Sequence, residues 1–546
     1  MDTNTISSKS SIFQNSRVYW LACTAYWGIV LFGYDSGITG GVINSKYFQT
    51  EFGIIPESGT PDQRRIDTIS SNIVSVLQGG AFFGALISAP MSAWMGRRYT
   101  LLMFIFMFIV GAMLTTIAGG SRGLSYIYGG RALAGFALGA LSAVSPAYVS
   151  ECSPKQVRGR LTGMFQIMVA IGVMLAYFVN YGIALHIHNS SKIWGLSFGF
   201  QLVPASLMAL GLLTVVESPR WLASKGRKEE ALANLAYLRR MPVDSDYVRS
   251  ELAEIEAALG EEREARQRLG IKEAFFGRGN FIRFVIAFVI FLLQQWCGQN
   301  AINYYTPQTF TSIGYTSATG SLLASAIYGV AKVIATCIFV LFFIDSCGRK
   351  IALFVSAIGM AVTFFILAAL MKTCPPRMVL NANPSAASKA MAALIYLYEC
   401  FYSMGWGPLP WVYVSDIFPT GTRHYGVAVA SASQWLWNFV ISKITPTMNT
   451  DLGYKMYLIF ASLNVSALVV FSLIVPETKG CSLEEMDIIF GTVTADQRLA
   501  NIERQERAYY EDKESTLTTQ TSITTQTLTM TQTETSTIVR EEKCYV

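Results

Sequence analysis

The sequence predicts an all-α membrane protein with twelve transmembrane helices in two pseudo-symmetric six-helix halves, and three observations predict it. The chain is 52% hydrophobic and only 14% charged, whereas soluble domains carry about 25% charged residues. Apolar runs of about 20 residues, the length that crosses a bilayer's hydrocarbon, recur about twelve times. The polar signatures that punctuate those runs come in the same order in the first and second half of the chain.

The runs lie near 19–41, 73–94, 100–119, 125–149, 161–184, 194–216, 282–306, 320–344, 350–371, 390–414, 425–447 and 453–475. They divide the chain into a polar tail at 1–18, a six-helix half at 19–216, a helical linker at 217–280, a second six-helix half at 281–476 and a tail at 477–546. The first tail lacks the basic, apolar and small-residue regions of a cleaved signal, so the first helix is expected to act as its own insertion signal. Lys and Arg concentrate after the second, fourth, sixth, eighth and tenth runs. Basic loops stay in the cytosol, which places these loops and both termini there. The Asn189-Ser190-Ser191 triplet then faces outside, where Asn189 is a candidate glycosylation acceptor, although such a triplet also arises by chance. The linker is charged with both signs and is expected to be helical at Lys228–Arg240 and Tyr247–Leu269. In the final tail, Thr516–Thr537 is almost entirely Thr, Ser, Gln and Glu. Such a composition cannot bury a core, so disorder is expected from about residue 513.

The net charge of +6 resides in the cytosolic loops and reads as topology, with no nucleic-acid partner implied. Nine cysteines are scattered without an external pair for a disulfide. There is no phosphate loop, no metal-spaced His/Cys cluster and only three histidines. No enzyme chemistry, metal or cofactor is expected, and transport driven by ATP hydrolysis is disfavoured.

Gly96-Arg97-Arg98 follows the second run, and Asp345-Ser346-Cys347-Gly348-Arg349-Lys350 follows the eighth. Glu151 with Arg158-Gly159-Arg160 follows the fourth, and Asp416 with Gly421-Thr422-Arg423 the tenth. Glu217-Ser218-Pro219-Arg220-Trp221 closes the sixth, and Pro476-Glu477-Thr478-Lys479-Gly480 the twelfth. Three signatures in register mean duplicated halves, the architecture of secondary transporters. Carboxylates and arginines at helix ends suit cytosolic latches made in only one transport state. The expected pairs are Glu151 with Arg158, Glu217 with Arg97 or Arg98, and Asp345 or Glu477 with Arg349, Arg423 or Lys479. The alternative is that these residues only orient loops.

At membrane depth an unpaired amide costs several kcal/mol. The stretch Gln294–Pro307, with Gln294, Gln295, Asn300, Asn303, Tyr304 and Tyr305, therefore reads as the wall of a water-filled cavity for a hydroxyl-rich solute. Asp35 and Arg131 are ionisable groups inside apolar runs and are functional candidates by default. Lys332 lies mid-helix. It either receives a substrate carboxylate, pairs with Glu399 as a neutral structural unit, or faces lipid or water. Gly405-Trp406-Gly407-Pro408-Leu409-Pro410 supplies helix breakers where a gating helix would bend.

From Tyr19 to Glu485 the chain resembles the sugar porter family of the major facilitator superfamily. The resemblance rests on Phe32-Gly33-Tyr34-Asp35-Ser36-Gly37, Gly130-Arg131-Ala132-Leu133-Ala134-Gly135, Glu151-Cys152-Ser153-Pro154, Glu217-Ser218-Pro219-Arg220-Trp221-Leu222, Gln294-Gln295 with Asn300, Tyr304-Tyr305 and Pro476-Glu477-Thr478-Lys479-Gly480. Gly329-Val330-Ala331-Lys332 and Gln434-Trp435-Leu436-Trp437-Asn438-Phe439 look most like the fungal quinate permease and galacturonate transporter branch. Two positions depart: Ala93 stands where the family's first loop motif has Asp, and Val216 where it usually has Pro. The resemblance implies that helices one, four, seven and ten line the cavity, and that Asp35 carries the proton with Arg131 as partner; a fixed structural ion pair is the competing role. It also implies substrate contacts from Gln166, Gln294, Gln295, Asn300, Trp411 and Asn438, to which the amide and phenol stretch adds Tyr304. The expected function is a plasma-membrane secondary transporter importing a monosaccharide or a related cyclic polyol acid, such as quinate or galacturonate, in symport with protons. A facilitative hexose or pentose uniporter and a non-transporting sugar receptor are the alternatives.

Overall fold

The structure is a computed structural model that describes residues 15–55, 62–119, 123–268, 277, 279–344, 346–376, 379, 383–418, 423–479, 486 and 489–490. The first tail up to Gln14, Asp345 and the Thr-rich segment lie outside the described residues. A compact unit, Met1–Leu483, holds every span; of the second, Glu484–Val546, only Met486, Ile489 and Phe490 are described.

Among the described residues, twelve spans follow in order. The first five are α1 (Ser16–Ile43), α2 (Gln63–Met95), α3 (Arg97–Thr116), α4 (Gly123–Cys152) and α5 (Lys155–His186). Next come α6, in two pieces, Lys192–Gly199 and Leu202–Thr214, and α7, in three, Asn280–Trp296, Gln299–Tyr304 and Thr306–Ser312. The chain continues with α8 (Ala318–Ile338, extended by the wider π turns Phe339–Phe343), α9 (Arg349–Thr373), α10 (Ala386–Ser403 and Leu409–Ile417) and α11 (Arg423–Leu452). It closes with α12, Tyr454–Leu463 and Val470–Ile474 joined by a π segment at Asn464–Val469. Large apolar side chains such as Phe106, Leu210, Phe342 and Ile351 are exposed on the outer faces of these spans, where hydrocarbon would be their solvent.

Eight helices among the described residues are long and apolar enough to cross a membrane unaided. The four spans that fall short are α1, α7, α10 and α11, which carry buried polar residues such as Asp35, Gln294, Glu399 and Gln434 or are broken. Helices α2 and α4 meet backbone to backbone. A Cβ at Gly80 or Gly84 would collide with the carbonyls of Ala132 and Phe136, and one at Gly135 or Gly139 with those of Leu77 and Ala81. Small residues four apart permit this approach, and van der Waals packing then replaces the hydrophobic drive that lipid cannot supply.

The break in α10 falls at the expected Gly405–Pro410 segment. The breaks in α7 were not expected, since 282–306 reads as one continuous run. Gly298 adopts φ +99°, a left-handed conformation, and its Cα faces the rings of Phe364 and Phe460. Helix α2 begins at Gln63, before its apolar run, because Asp62 Oδ1 caps it by accepting from the Arg64 amide at 3.1 Å. The linker is more than a spacer. Its helices Pro219–Ser224, Lys228–Arg239 and Asp246–Arg268 are tied to the first half by Arg239 Nη1 donating to the Cys152 carbonyl at 3.0 Å and Arg17 Nη1 donating to the Tyr237 carbonyl at 2.8 Å.

Hydrogen bonds join the halves on the side away from the linker. Tyr177 Oη on α5 donates to the Asn303 carbonyl on α7 at 2.7 Å, Gln308 Nε2 to the Gly40 carbonyl at 3.0 Å, and Lys443 Nζ on α11 to Ser71 Oγ on α2 at 3.3 Å.

Gly298→Ala should cost about 2 kcal/mol or more, because a Cβ there combines left-handed strain with atoms 2.9 Å from Phe364 and 3.0 Å from Phe460. Thermal unfolding in detergent measures the loss; an unchanged midpoint would mean that α7 does not need this break.

Candidate functional site

Between the halves lies a cavity with about 510 Å³ of empty space, including the part open to solvent. The two halves line it unequally. The first supplies Phe32, Phe165, Val169 and Val173, with Ser36 and Gln166 as its polar groups; the second supplies Gln294, Gln295, Gln299, Asn300, Asn303, Tyr304, Lys332, Tyr402, Trp411 and Gln434. The breaks in α7 and α10 turn polar side chains and backbone toward this space. Gln294 Nε2 donates to the carbonyls of Trp406 and Gly407 at 2.8 and 3.1 Å, which holds α7 to the unwound part of α10. Trp411 stacks edge-on to Phe291, centroids 4.6 Å apart. Its indole presents an apolar plane against which a ring solute can lie.

Of the residues expected to contact substrate, Gln166, Gln294, Gln295, Asn300, Tyr304, Lys332 and Trp411 line the cavity. Asn438 does not. It stands behind the wall, accepting from Asn300 Nδ2 at 3.2 Å and donating to Tyr304 Oη at 3.0 Å. Gln299 and Gln434 were missed: both are buried wall residues, and each has a side-chain carbonyl oxygen with no partner among the described residues. Buried acceptors are normally satisfied, and no described group satisfies these two. The signal for Gln299 was present in the Gln294–Pro307 stretch, and that for Gln434 in its amide at membrane depth.

Asp35 and Arg131 are joined in a buried pair, Nη1 to Oδ1 at 3.2 Å and Nη2 to Oδ2 at 3.4 Å. Arg131 Nε also donates to the Ile73 carbonyl. A third member, Gln201 in the break of α6, donates from Nε2 to Asp35 Oδ1 at 3.1 Å. Only the neighbouring Ser36 reaches the cavity wall. Lys332 pairs with Glu399, Nζ to Oε1 at 2.9 Å, and also borders the cavity. Of the alternatives for this lysine, the structure shows the pair with Glu399, at a place on the cavity wall.

At the span ends on the linker side the duplicated motifs occupy corresponding places. Glu217 accepts from the Arg97 amide at 2.9 Å and the Arg98 amide at 3.1 Å, at the start of α3. Glu477 accepts from the Arg349 and Lys350 amides at 2.8 and 3.0 Å, at the start of α9. Each carboxylate thus sits on the positive end of a helix. Arg97 grips Glu151 in a forked pair, Nη2 to Oε1 at 2.8 Å and Nε to Oε2 at 3.0 Å. Arg349 approaches Asp416 at 3.7 Å, and Thr478 Oγ1 donates to Asp416 at 3.2 Å.

The pairing differs from expectation in two ways. Glu151 takes Arg97 and not Arg158, whose Nη2 instead donates to the Ser153 carbonyl at 3.1 Å. Glu217 and Glu477 bind backbone amides, because a carboxylate between two helix ends gains more N–H donors than one guanidinium aims at it. Each of these contacts stays within one half and the segment that follows its sixth span. Ala93, where the family pattern has Asp, contributes its carbonyl to Trp221 Nε1 at 3.0 Å. Asp345 and the Arg423 side chain lie outside the described residues, and Asn189 is exposed in the loop between α5 and α6 with φ +48°.

Comparison with known proteins follows from this geometry. Residues 20–490 match the model of the family described as sugar (and other) transporter. The chain is 39% identical over 485 residues to the quinate permease of Emericella nidulans, covering 87% of this chain and 89% of that protein. It is 38% identical over 480 residues to a protein named probable quinate permease of Neosartorya fischeri, with 87% and 88% covered. Among solved structures it is similar to the proton:xylose symporter XylE bound to 6-bromo-6-deoxy-D-glucose, with TM-score 0.72, 27% identity and 87% and 99% of the two chains covered. A partially occluded inward open conformation of the E. coli xylose transporter XylE superposes with TM-score 0.70 at 26% identity, covering 86% and 100%.

The two helix-end glutamates differ in charge preference. Burial pushes the Glu217 carboxyl above its usual range despite its backbone donors. Burial also pushes Glu477 upward, but the amides of Lys479, Lys350, Arg349 and Thr478 together hold it below the usual range. The folded state therefore favours ionised Glu477, a stabilisation present above the ordinary glutamate value of about 4.3 and lost as pH falls through the lower folded value. Glu477→Gln should lower thermal stability at neutral pH by about 1–3 kcal/mol, and more than Glu217→Gln. The gap should narrow in acid. Equal losses at neutral pH would contradict the asymmetry.

Proposed function

The chain belongs to the sugar transporter family of the major facilitator superfamily, and from that premise we propose that it imports a monosaccharide or a cyclic polyol acid by alternating access, in symport with protons. The observation that carries the reading is a buried Asp35–Arg131–Gln201 cluster one residue from a cavity walled by amides, phenols and an indole. Those wall groups donate and accept, as ring hydroxyls require, while Trp411 and Phe165 cover the apolar face of a ring.

In this reading Gln166, Gln294, Gln295, Asn300, Tyr304 and Trp411 contact substrate, and Asn438 positions Asn300 and Tyr304 from behind. A proton on Asp35 cancels one charge of the pair and loosens Arg131 from α1, so that α1 and α4 can shift when the cavity changes sides. Desolvation on closure favours that protonation. The carboxylate contacts at the starts of α3 and α9 keep each six-helix half rigid, so that the motion falls between the halves 19–216 and 281–476, with 217–280 as the cytosolic connection. The protein resides in the plasma membrane with both termini in the cytosol and Asn189 outside, available for glycosylation. Its partners are the solute, protons and the bilayer.

Uptake with external pH recording tests this, in yeast lacking its own hexose carriers and offered quinate, galacturonate, glucose and xylose in parallel. Accumulation with alkalinisation is expected, with Asp35→Asn as the control for protons consumed by a weak acid itself. Asp35→Asn should abolish accumulation and spare exchange. Flux without a pH change would identify an equilibrative uniporter. Binding without flux would identify a receptor. Loss of accumulation and exchange together would make the pair structural, because stranding one partner of a buried ion pair costs about 3–5 kcal/mol.

A further inference from the structure

A second buried charge pair borders the same cavity and is left unused by proton coupling through Asp35. The Lys332 side chain on α8 is 5% exposed and that of Glu399 on α10 is 0%. Lys332 is a wall residue, with Nζ 5.4 Å from the centre of the Tyr402 ring, which also faces the cavity. An ammonium has three donors, and Glu399 takes one at 2.9 Å. Glu399 in turn accepts from Ser403 Oγ at 3.1 Å and from Tyr328 Oη. Tyr328 accepts from Gln299 Nε2 at 3.0 Å. Gln299 reaches the cavity, and its carbonyl oxygen has no partner among the described residues. A chain of hydrogen bonds thus joins the buried carboxylate to the place where a solute sits.

We propose that Lys332 and Glu399 form a carboxylate-exchange site: the carboxylate of an acidic cyclic polyol takes Lys332, and Glu399 accepts a proton as it loses its cation. The proposal rests on the transport reading of the cavity and names the class of solute. Charge counting drives it. Before binding, one cation faces one anion. With an acid bound, one ammonium faces two carboxylates in a site of low dielectric, and such pairs keep only one charge. Among the described residues, the titratable groups around Glu399 are Lys332 and Tyr328 on α8, Tyr398, Cys400 and Tyr402 on α10, Cys297 on α7 and Tyr177 on α5. Phenols and thiols are ordinarily neutral at neutral pH, so Lys332 is the one cation among them. The proton is drawn from the bulk solution, as hydronium or from a buffer acid, through the water-accessible cavity, and it forms an O–H bond on Glu399. When the acid leaves, Lys332 returns to Glu399 and the proton departs into the cavity. A neutral ring leaves the pair intact and moves no proton here.

Binding to the purified full-length protein tests this apart from flux. Titration calorimetry in buffers of different ionisation enthalpy counts protons taken up with two acid and neutral pairs, galacturonate with galactose and quinate with its methyl ester. The acid of at least one pair should bind with about one more proton than its neutral partner. Lys332→Met should weaken that acid by about 10- to 100-fold more than it weakens the neutral ring. Glu399→Gln should bind the acid without the extra proton. If Lys332→Met fails to fold, Lys332→Met with Glu399→Gln removes both charges and should lose the preference for the acid over the neutral ring. Equal proton counts in both pairs, equal losses for acid and neutral ring, or no acid binding overturn the site. Uptake by proteoliposomes separates the two readings. Flux with equal proton counts sinks this site and keeps the transport reading, whereas acid binding with the extra proton but no flux does the reverse.

Discussion

Hydrocarbon offers no hydrogen-bond partner, and the arrangement of this protein follows from that lack. A charge or amide at membrane depth must be paired within the protein or turned toward water. Asp35 meets Arg131 and Gln201, Lys332 meets Glu399, and the amides of α7 meet the unwound backbone of α10 or the cavity. The spans too polar or too broken to cross a bilayer unaided are α1, α7, α10 and α11. They are kept there by packing against more apolar neighbours, and their polarity is what a hydroxyl-rich solute can use.

The same lack shapes how helices adhere. Lipid tails are as apolar as leucine, so helix contact depends on close packing. Interleaved glycines bring α2 and α4 together until backbone meets backbone. At the span ends on the linker side, Glu217 and Glu477 each bridge a helix start to the segment that follows the sixth span of the half. Each half is thereby braced as a body. The hydrogen bonds between halves on the far side join Tyr177 to the Asn303 carbonyl and Thr306, Gln308 to the Gly40 carbonyl, and Lys443 to Ser71 and Asn72. Such bonds are worth about 1 kcal/mol each and are the kind that a moving carrier can exchange.

Duplication made the halves alike in frame and left the cavity wall free to diverge. The first half presents mainly phenylalanine and valine, and the second amides, phenols and Lys332. A solute with one apolar ring face and a rim of hydroxyls matches that division. The two buried ion pairs divide in the same way: Asp35–Arg131 is withdrawn behind the apolar wall, and Lys332–Glu399 borders the polar one.

The twelve spans, the repeat and the polar character of α7 were legible in the sequence because each is local: a run of about 20 apolar residues, a motif at a helix end, a cluster of amides within fourteen positions. The bend in α10 was legible from its glycines and prolines. The breaks of α7 were not, since a lone Gly298 in an apolar run signals little until Phe364 and Phe460 close around it. Gln201 was invisible as a partner of Asp35 because 166 positions separate them. Arg97 takes Glu151, and the nearer Arg158 does not. Composition and periodicity alone determined that this chain enters a bilayer in two matching halves, since those depend on how each residue partitions. Tertiary structure decided which charge holds which, and which amides face the cavity. Those depend on distances between helices that no stretch of sequence contains.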